Sequence, residues 1–269
     1  MTAVRAEVWQ PPGRGLNLDD LPAVDLDRLV AVAELQRRYD RKYVVEVPDL
    51  GRLVEALGSG VHVLEVDRRR STDYTSTYFD TGDLRTFRDH QQRRRRRFKV
   101  RTRHYGDPSA TVLEVKFKGL RGQTYKRRWP HLSGAPDVLG PEAETLLDEA
   151  IRAEYGFGLP GPLTAVATTR FERVTLVDVE NAERVTIDLD LCIEANGQRM
   201  RLGGSHAVVE SKSPVRAGHA SRAIAALGLR PERVSKYCVG IIAAHETIRG
   251  NRWLPVLRQL EVVPLPPTD

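Results

Sequence analysis

The chain has 269 residues, of which 41% are hydrophobic, and a formal net charge of +6. This size predicts one folded domain with a sizeable core, and the charge favours acidic partners such as phosphorylated molecules, nucleic acid or an anionic membrane surface. The sequence has no run of roughly 18 apolar residues and no secretory signal, so we expect a soluble, cytoplasmic protein. Cys192 and Cys238 lie far apart without metal-ligand spacing, which argues against a structural disulfide.

The N-terminal part of the chain predicts a lead-in, two helices and a strand. Residues 1–24 are rich in Pro, Gly and Asp, which favours a loosely structured lead-in. Residues 25–38 have the apolar spacing of a short amphipathic helix, and residues 39–45 are typical of a strand. A second helix is predicted to begin at Pro48 and to end at Gly58, because leucines recur at helical spacing before the glycine.

The rest of the chain is predicted to be rich in strands. Alternating apolar residues and turn residues predict strands at 61–66, 74–80, 96–105, 111–119, 123–130, 165–178, 183–195, 198–203 and 206–213. A helix is predicted from Pro141 to the neighbourhood of Gly156, and two more at 217–227 and 231–245. We expect the tail from Gly250 onward to be partly mobile.

Charged residues alternate with apolar residues in several of these strands. Lys99, Arg101 and Arg103 would lie on one face, because successive side chains of a strand point to opposite sides. The same alternation recurs at Glu114, Lys116 and Lys118, at Lys126 and Arg128, at Arg184, Thr186, Asp188 and Asp190, and at Glu210 and Lys212. Several such strands in a row indicate a sheet curled around a charged interior. A polyanion must fill that interior, because unpaired buried cations are costly.

The candidates for this interior are mostly cations, which can neutralise a phosphate chain along its length. They are Lys42, Arg101, Arg103, Glu114, Lys116, Lys126, Arg173, Arg184, Glu210 and Lys236. A carboxylate among cations favours a divalent metal that bridges phosphate oxygens, with Glu210 and Glu114 as candidate ligands. Taken alone, Glu114 fits an ion pair with Lys116 or with a cross-strand arginine better than a metal site. Asp188 and Asp190 fit ion pairs or turns, and the five arginines at 93–97 are typical of a solvated loop.

Other chemistries lack their motifs in this sequence. There is no Gly-x-Ser-x-Gly motif and no GxxxxGK[ST] loop, and the histidines have no ligand spacing. The aromatic content of 6% provides no clear platform for stacking bases, which disfavours a nucleic-acid-binding protein. A phosphate chain is therefore the favoured ligand.

Eight short motifs, taken in order, resemble the VTC domain. They are Arg41-Lys42-Tyr43, YFDT at 78–81, FKVRTRHYG at 98–106, LEVKFK at 113–118, TTRFER at 168–173, RVTID at 184–188, VVESK at 208–212 and VSKY at 234–237. The VTC domain is the polyphosphate polymerase module of vacuolar transporter chaperone complexes, within the CYTH-like triphosphate tunnel metalloenzyme superfamily. Each motif is short, but their joint order is specific.

The resemblance implies an α+β fold, in which a closed antiparallel β-barrel forms a tunnel with helices packed outside. The tunnel domain would span residues 36–248, between an N-terminal extension at 1–35 and a C-terminal tail at 249–269. The implied activity transfers the γ-phosphate of ATP onto a growing inorganic polyphosphate chain, with Mn²⁺ or Mg²⁺ as the metal. An inorganic triphosphatase or polyphosphatase of the same fold and a non-catalytic polyphosphate-binding module are the alternatives.

The resemblance also implies roles for individual residues. Catalytic and phosphate-lining positions correspond to Lys42, Arg101, Arg103, Lys116, Arg173, Arg184 and Lys236. Further phosphate contacts correspond to Lys126, Lys212, Arg233 and Ser235, and one more arginine corresponds either to Arg88 or to a member of the run at 93–97. The metal ligand corresponds to Glu210, with Glu114 as a second candidate.

The chain departs from the family pattern at three points. Phe171 stands where a tyrosine hydroxyl is expected, which removes one hydrogen-bond donor from the tunnel. Arg38-x-Asp40-x-Lys42 replaces the superfamily signature ExExK, which weakens the case for a hydrolase with several N-terminal carboxylates. Arg233 stands where the family has a lysine.

Overall fold

The computed structural model describes residues 16–33, 38–119, 124–131 and 134–266. Most of the predicted lead-in and the end of the first predicted helix, at 34–37, lie outside these residues. The described part is a mixed α/β fold with a large, mainly antiparallel sheet and helices. No helix within it is both long enough and apolar enough to span a membrane.

The sheet of the described residues has 12 strands. In chain order they are β1 (Ala23–Val24), β2 (Tyr39–Glu46), β3 (Val61–Leu64), β4 (Thr72–Asp80), β5 (Phe98–Tyr105), β6 (Asp107–Lys118), β7 (Thr124–Pro130), β8 (Thr164–Asp178), β9 (Glu183–Ala195), β10 (Gln198–Leu202), β11 (His206–Ser213) and β12 (Val262–Leu265). The α-helices described are α1 (Leu26–Ala33), α2 (Leu50–Leu57), α3 (Arg85–Gln91), α4 (Pro141–Tyr155), α5 (His219–Ala226), α6 (Lys236–Ala244) and α7 (Leu254–Leu260).

Helices α2 and α4 form where their capping and apolar residues predict them. Helix α2 buries Leu50, Leu53 and Leu57, three positions on one side of a helix, and ends at Gly58 with a φ of 82°. Each fully buried leucine contributes roughly 1.5–3 kcal/mol relative to an exposed one. Helix α4 begins with a proline, carries two acidic residues in its first turn, and ends at Gly156 in the left-handed region.

Eight strands follow one another across the sheet in the order β2, β11, β9, β8, β4, β5, β6 and β7, with every neighbouring pair antiparallel. Strands β10 and β12 extend from the second half of β9, whereas β3 and β1 extend from the end of β8. Strand β2 pairs with β11 and β7 pairs with β6, but the described residues form no ladder between β2 and β7. A barrel closed by hydrogen bonds is therefore not confirmed.

The outer face of the sheet is apolar and is covered by helices. Helices α2 and α5 pack on the part formed by β2, β9 and β11, where residues such as Tyr43, Ile187 and Val209 are buried. Helix α4 packs on β5 and β6 through Leu147 and Ile151. These strands alternate between apolar and charged residues, so burial of one set places the other set on the opposite side.

Helix α6 covers an apolar part of that opposite side. Its residues cluster with side chains of the same strand parity as the cations, namely Val44, Tyr78, Phe171 and Val208. The Ser235 hydroxyl caps this helix by accepting a hydrogen bond of 3.3 Å from the backbone N–H of Cys238. The N-terminus of α6 therefore lies at the border between an apolar region and the charged residues.

Four elements differ from the sequence prediction, the first being β1, which lies at the end of the predicted lead-in. The prediction missed α3, whose start is held by the buried carboxylate of Asp80, which accepts hydrogen bonds of 2.8 and 2.9 Å from the N–H groups of Thr86 and Phe87. Residues after Gly250, predicted to be a tail, include α7 and β12. Strand β12 pairs with β10, a contact between segments about 60 residues apart that local periodicity does not indicate.

Candidate functional site

The strand register places the charged residues on one side of the sheet, which we call the inner face. Arg101 lies opposite Glu114 and beside Tyr78, and Glu210 lies opposite Lys42 and Thr186. The strand residues of this face and the N-terminus of α6 contribute twelve cations: Lys42, Lys99, Arg101, Arg103, Lys116, Lys118, Lys126, Arg128, Arg173, Arg184, Lys212 and Lys236. They contribute five carboxylates: Asp40, Asp80, Glu114, Asp188 and Glu210. The oxygens of Asp80 accept from N–H groups of α3 and from the Tyr237 hydroxyl.

The inner face is concave, because groups on distant strands reach one another. Lys42 of β2 and Glu210 of β11 both act electrostatically on Lys116 of β6. The N-terminus of α6 bridges the face: the ammonium of Lys99 on β5 donates to the Ser235 hydroxyl at 2.8 Å, while Lys236 donates to a carboxylate on β9. The sheet therefore curls around the charged residues, as the alternation predicts.

All seven lysines of the chain belong to this face. Cations elsewhere on the protein are arginines. A lysine ammonium loses its charge on burial more readily than a guanidinium, so lysine suits a site whose charge changes with its ligand. The placement of the lysines could therefore have identified the inner face from the sequence, independently of the alternation of charged and apolar residues.

Glu114 holds one cluster of cations and is 1% exposed. Its carboxylate accepts a hydrogen bond of 2.7 Å from Nε of Arg101, lies 3.3 Å from the Lys126 ammonium and also accepts from Arg128. Burial alone would raise the pKa of Glu114, but Arg101, Arg103, Lys126 and Arg128 together hold it far below its usual range. Cross-strand cations thus contact both oxygens of Glu114, which is the arrangement that the ion-pair alternative predicts.

Asp188 holds a second cluster, formed by Arg173 and Lys236. The guanidinium of Arg173 donates to both carboxylate oxygens, at 2.5 and 2.8 Å, and the Lys236 ammonium donates to Oδ2. Burial acts to raise the pKa of Asp188, but Arg173 and then Lys236 lower it well below its usual range. From the sequence, Asp188 fits only an ion pair or a turn, yet its carboxylate fixes two of the predicted phosphate-binding cations.

Phe171 lies among the cations although it lacks a hydroxyl. Its ring stacks on Tyr74 with centroids 5.3 Å apart, and the Lys236 ammonium lies 4.4 Å from its centroid. The guanidinium of Arg173 lies 4.6 Å from the Tyr74 ring, and that of Arg103 lies 5.2 Å from it. The rings of Tyr74 and Phe171 therefore help to position these three cations through cation–π contacts, which do not require a hydroxyl at position 171.

Three lysines of the inner face have pKa values close to neutrality. Desolvation inside the concave face, and then the charge of Lys42, lowers the pKa of Lys116 to about 7, although the side chain keeps access to solvent. Burial also lowers the pKa values of Lys126 and Lys212 to about 8, against the opposing effects of Glu114 and Glu210 respectively. Because such groups regain a proton when an anion approaches, the site is set to respond to bound phosphate.

Glu210 is better placed than Glu114 to bind a metal together with phosphate oxygens, because one of its carboxylate oxygens is less tightly paired. Its Oε2 accepts from Lys212 at 3.0 Å, but its Oε1 is 3.8 Å from the Lys42 ammonium and makes a looser contact. Burial acts to raise the pKa of Glu210, but Lys212, Lys42 and Lys116 keep it ionised. Within the described residues no three His, Cys, Asp or Glu side chains cluster as a metal site. One carboxylate supplies only part of a coordination shell, so phosphate oxygens would have to supply the rest.

Most of the predicted site residues come together on the inner face or at the start of α6. This group comprises Lys42, Arg101, Arg103, Glu114, Lys116, Lys126, Arg173, Arg184, Glu210, Lys212, Ser235 and Lys236. Two residues lie elsewhere. Arg88 is on α3, half-exposed, and pairs with Asp83 at 3.0 Å, while Arg233 is exposed and lines a separate pocket. The inner-face residues that the site prediction omitted are Asp40, Asp80, Lys99, Lys118, Arg128 and Asp188.

Comparison with known proteins supports one family. The sequence profile of the VTC domain matches residues 37–245. A search of curated protein sequences finds no significant match.

Solved structures with a similar arrangement include PH1012 from Pyrococcus horikoshii OT3, with a TM-score of 0.39, 14% identity, and coverage of 75% of this chain and 99% of that one. The Hippeastrum protein HpAC1, a proposed adenylyl cyclase with a dominant triphosphatase activity, has a TM-score of 0.46 and 16% identity, covering 76% and 95%. A proposed adenylate cyclase from Bacillus halodurans has a TM-score of 0.40 and 13% identity, covering 73% and 92%. All three scores are low, so the family assignment rests on the domain match.

Proposed function

The chain belongs to the VTC domain family, and from this premise we propose that it is a polyphosphate polymerase. In this proposal the inner face binds ATP and inorganic polyphosphate, and transfers the γ-phosphoryl group of ATP to the end of the chain. The observation that supports the proposal best is the excess of twelve cations over five carboxylates on one concave surface. So many neighbouring cations are stable only when anions neutralise them, and a phosphate chain supplies about one negative charge per phosphate group.

The proposed step is an in-line displacement at phosphorus. A terminal oxygen of the polyphosphate attacks the γ-phosphorus of ATP, the bond from that phosphorus to the β–γ bridging oxygen breaks, and ADP leaves with the bond electrons. The attacking oxygen is already anionic, so no strong general base is needed. Catalysis then comes from positioning and charge stabilisation.

The arginines of the inner face have the geometry for that role. Arg173 is held rigidly by two hydrogen bonds to Asp188, and Arg101 is held by Glu114 and by the Tyr78 hydroxyl at 3.4 Å. Their remaining N–H groups can donate to the equatorial oxygens of the transferring group. Cations already fixed before the substrate binds lose little entropy at the reaction step.

A divalent metal bound with the substrate would neutralise phosphate charge, and we propose Glu210 as the protein oxygen ligand. We propose Glu114 as the centre of an ion-pair cluster instead, because cations surround its oxygens. Closure of the tunnel belongs to the same proposal: a bound phosphate chain would neutralise the facing cations of β2 and β6 and draw these strands together.

The proposal is tested by incubating the purified protein with ATP and Mn²⁺ or Mg²⁺, followed by gel separation of polyphosphate and an assay of free phosphate. We expect chains and ADP. Orthophosphate without chains would indicate the triphosphatase alternative, and binding without turnover would indicate a binding module.

Paired variants connect the activity to the inner face. Lys126 and Arg127 are neighbours on β7, but Lys126 reaches Glu114 on the inner face, whereas Arg127 has the opposite strand parity and is exposed. We expect Arg101→Ala to abolish turnover and Lys126→Ala to reduce it, while Arg127→Ala retains full turnover. Equal activity of Arg101→Ala and Arg127→Ala would contradict the assignment.

A further inference from the structure

A second basic feature lies where the inner face ends. A pocket of about 320 Å³ is lined by Arg93, Arg95, Arg97, Lys118, Gly119, Arg233 and Arg252. Six of its seven lining residues are cations, and none is acidic or aromatic. By liquid volume the pocket could hold about ten water molecules, which is enough for a few phosphate groups.

The pocket continues the rows of cations that run along β5 and β6. Lys99 pairs with Lys116 in the sheet, and the backbone N–H of Lys118 donates to the carbonyl of Arg97 at 3.0 Å, so Arg97 and Lys118 form the next step of the ladder. Two residues along a strand span about 7 Å. The pocket thus shares Lys118 with the inner face and begins about one such step beyond the Lys99–Lys116 pair.

The segment that precedes α6 also connects the inner face to this pocket. Ser235, which accepts from Lys99, is two residues from Arg233 in the pocket wall. A chain leaving the inner face past Lys99 therefore meets cations of both β5 and the segment before α6.

The cations of the pocket lie close together, and no acidic residue is among the residues that line it. Arg252 donates to the carbonyl of His90 at 3.0 Å, while its Nε is buried and has no partner in the described structure. Burial, followed by the charges of Arg93, Arg233 and Arg97, lowers the pKa of Arg252. Such mutual repulsion is relieved by a bound anion.

We propose that this pocket binds a second stretch of the phosphate chain, beyond the segment on the inner face. The inference rests on the proposed function and extends it: the protein would hold long chains more tightly than triphosphate, because triphosphate cannot reach both sites. A nucleic acid is a poorer occupant, because the lining offers no aromatic platform for bases.

The arginine run supplies a matched pair of variants. Arg93 and Arg95 line the pocket, whereas Arg94 and Arg96 belong to the same exposed loop but do not. The double variants Arg93→Gln/Arg95→Gln and Arg94→Gln/Arg96→Gln remove the same charge from the same segment. All four positions are exposed, so both proteins should fold.

The test measures binding of triphosphate and of a long-chain polyphosphate to the full chain by titration calorimetry. We expect Arg93→Gln/Arg95→Gln to weaken long-chain binding about tenfold and triphosphate binding less than about twofold, as the loss of two exposed charge pairs allows. Arg94→Gln/Arg96→Gln should weaken long-chain binding by less than about threefold.

Three results would overturn the inference. The two double variants could weaken long-chain binding equally, or the pocket variant could weaken triphosphate as much as polyphosphate. A single-stranded oligonucleotide could also displace polyphosphate from the wild type and lose that ability in the pocket variant, which would make the pocket a nucleic-acid site. Failure of ATP-dependent synthesis alongside an intact difference between the double variants would refute the proposed function and leave the pocket proposal standing.

Discussion

Replacing Lys116 by arginine makes the positive charge at this position permanent and removes its ability to titrate near neutral pH. The pKa of Lys116 is lowered to about 7 by desolvation and by Lys42. Arginine stays protonated at every pH of interest. The variant therefore separates two contributions of this side chain to anion binding, its charge and its proton uptake.

The expected magnitude follows from the pKa values. At pH 8 a group with a pKa of about 7 is roughly 10% protonated, so full protonation on binding takes up about 0.9 proton. Lys126 and Lys212, with pKa values of about 8, would each take up about 0.5 proton at pH 8. The wild type should thus bind polyphosphate with uptake of about 1.9 protons at pH 8, and Lys116→Arg with about 1.0.

The assay is titration calorimetry with long-chain polyphosphate in two buffers of different ionisation enthalpy, from which the number of transferred protons follows. The uptake by Lys116 should shrink to about 0.1 proton at pH 6, where this lysine is already charged. Lys126→Arg is the matched control and should remove about 0.5 proton at pH 8 rather than 0.9. If Lys116→Arg takes up as many protons as the wild type at pH 8, the reasoning about this lysine is wrong.

Three further predictions concern stability and the limits of the site. Asp188→Asn leaves Arg173 and Lys236 without a buried counter-charge, so we expect urea unfolding at pH 7 to show a loss of about 3 kcal/mol. Because the folded-state pKa of Asp188 lies below its unfolded value, this stabilisation is present above about pH 4 and should disappear as the pH falls further; a difference independent of pH would contradict the ion-pair account. Arg88→Gln removes an exposed cation paired with Asp83, and steady-state kinetics should show unchanged turnover, whereas a large loss would return Arg88 to the site. Polyphosphate should raise the Tm in thermal denaturation, less at high salt, and no rise at low salt would count against binding to the native state.

Much of the fold could be predicted because its strands combine alternating apolar residues with turn residues at their ends. Strands β9 and β11 were predicted at the boundaries that the structure shows, since the apolar residues of β9 alternate without interruption and turn residues flank both strands. Helix α3 could not be predicted from its own seven residues, because its start depends on Asp80 in the preceding strand.

The candidate site was predictable in its membership but not in its pairing. Strand parity was enough to place Arg101 and Glu114 on one face, yet the partners of Glu114 come from two neighbouring strands, and only the register identifies them. Asp188 shows the same limit, since one of its two partners, Lys236, lies on a helix almost 50 residues later. Arg88 lies on α3, away from the inner face, and was assigned to the site because the sequence near the arginine run at 93–97 does not indicate which arginine of this region points inward.

The most direct test of the central claim follows the γ-phosphate of ATP. The wild type, Arg101→Ala and Arg127→Ala would each be incubated with γ-labelled ATP, a divalent metal and a polyphosphate primer, and the label in polymer and in free phosphate would be counted. We predict that the label enters the polymer with the wild type and Arg127→Ala, but not with Arg101→Ala. Label found only as orthophosphate, or transfer that survives the loss of Arg101, would contradict the account.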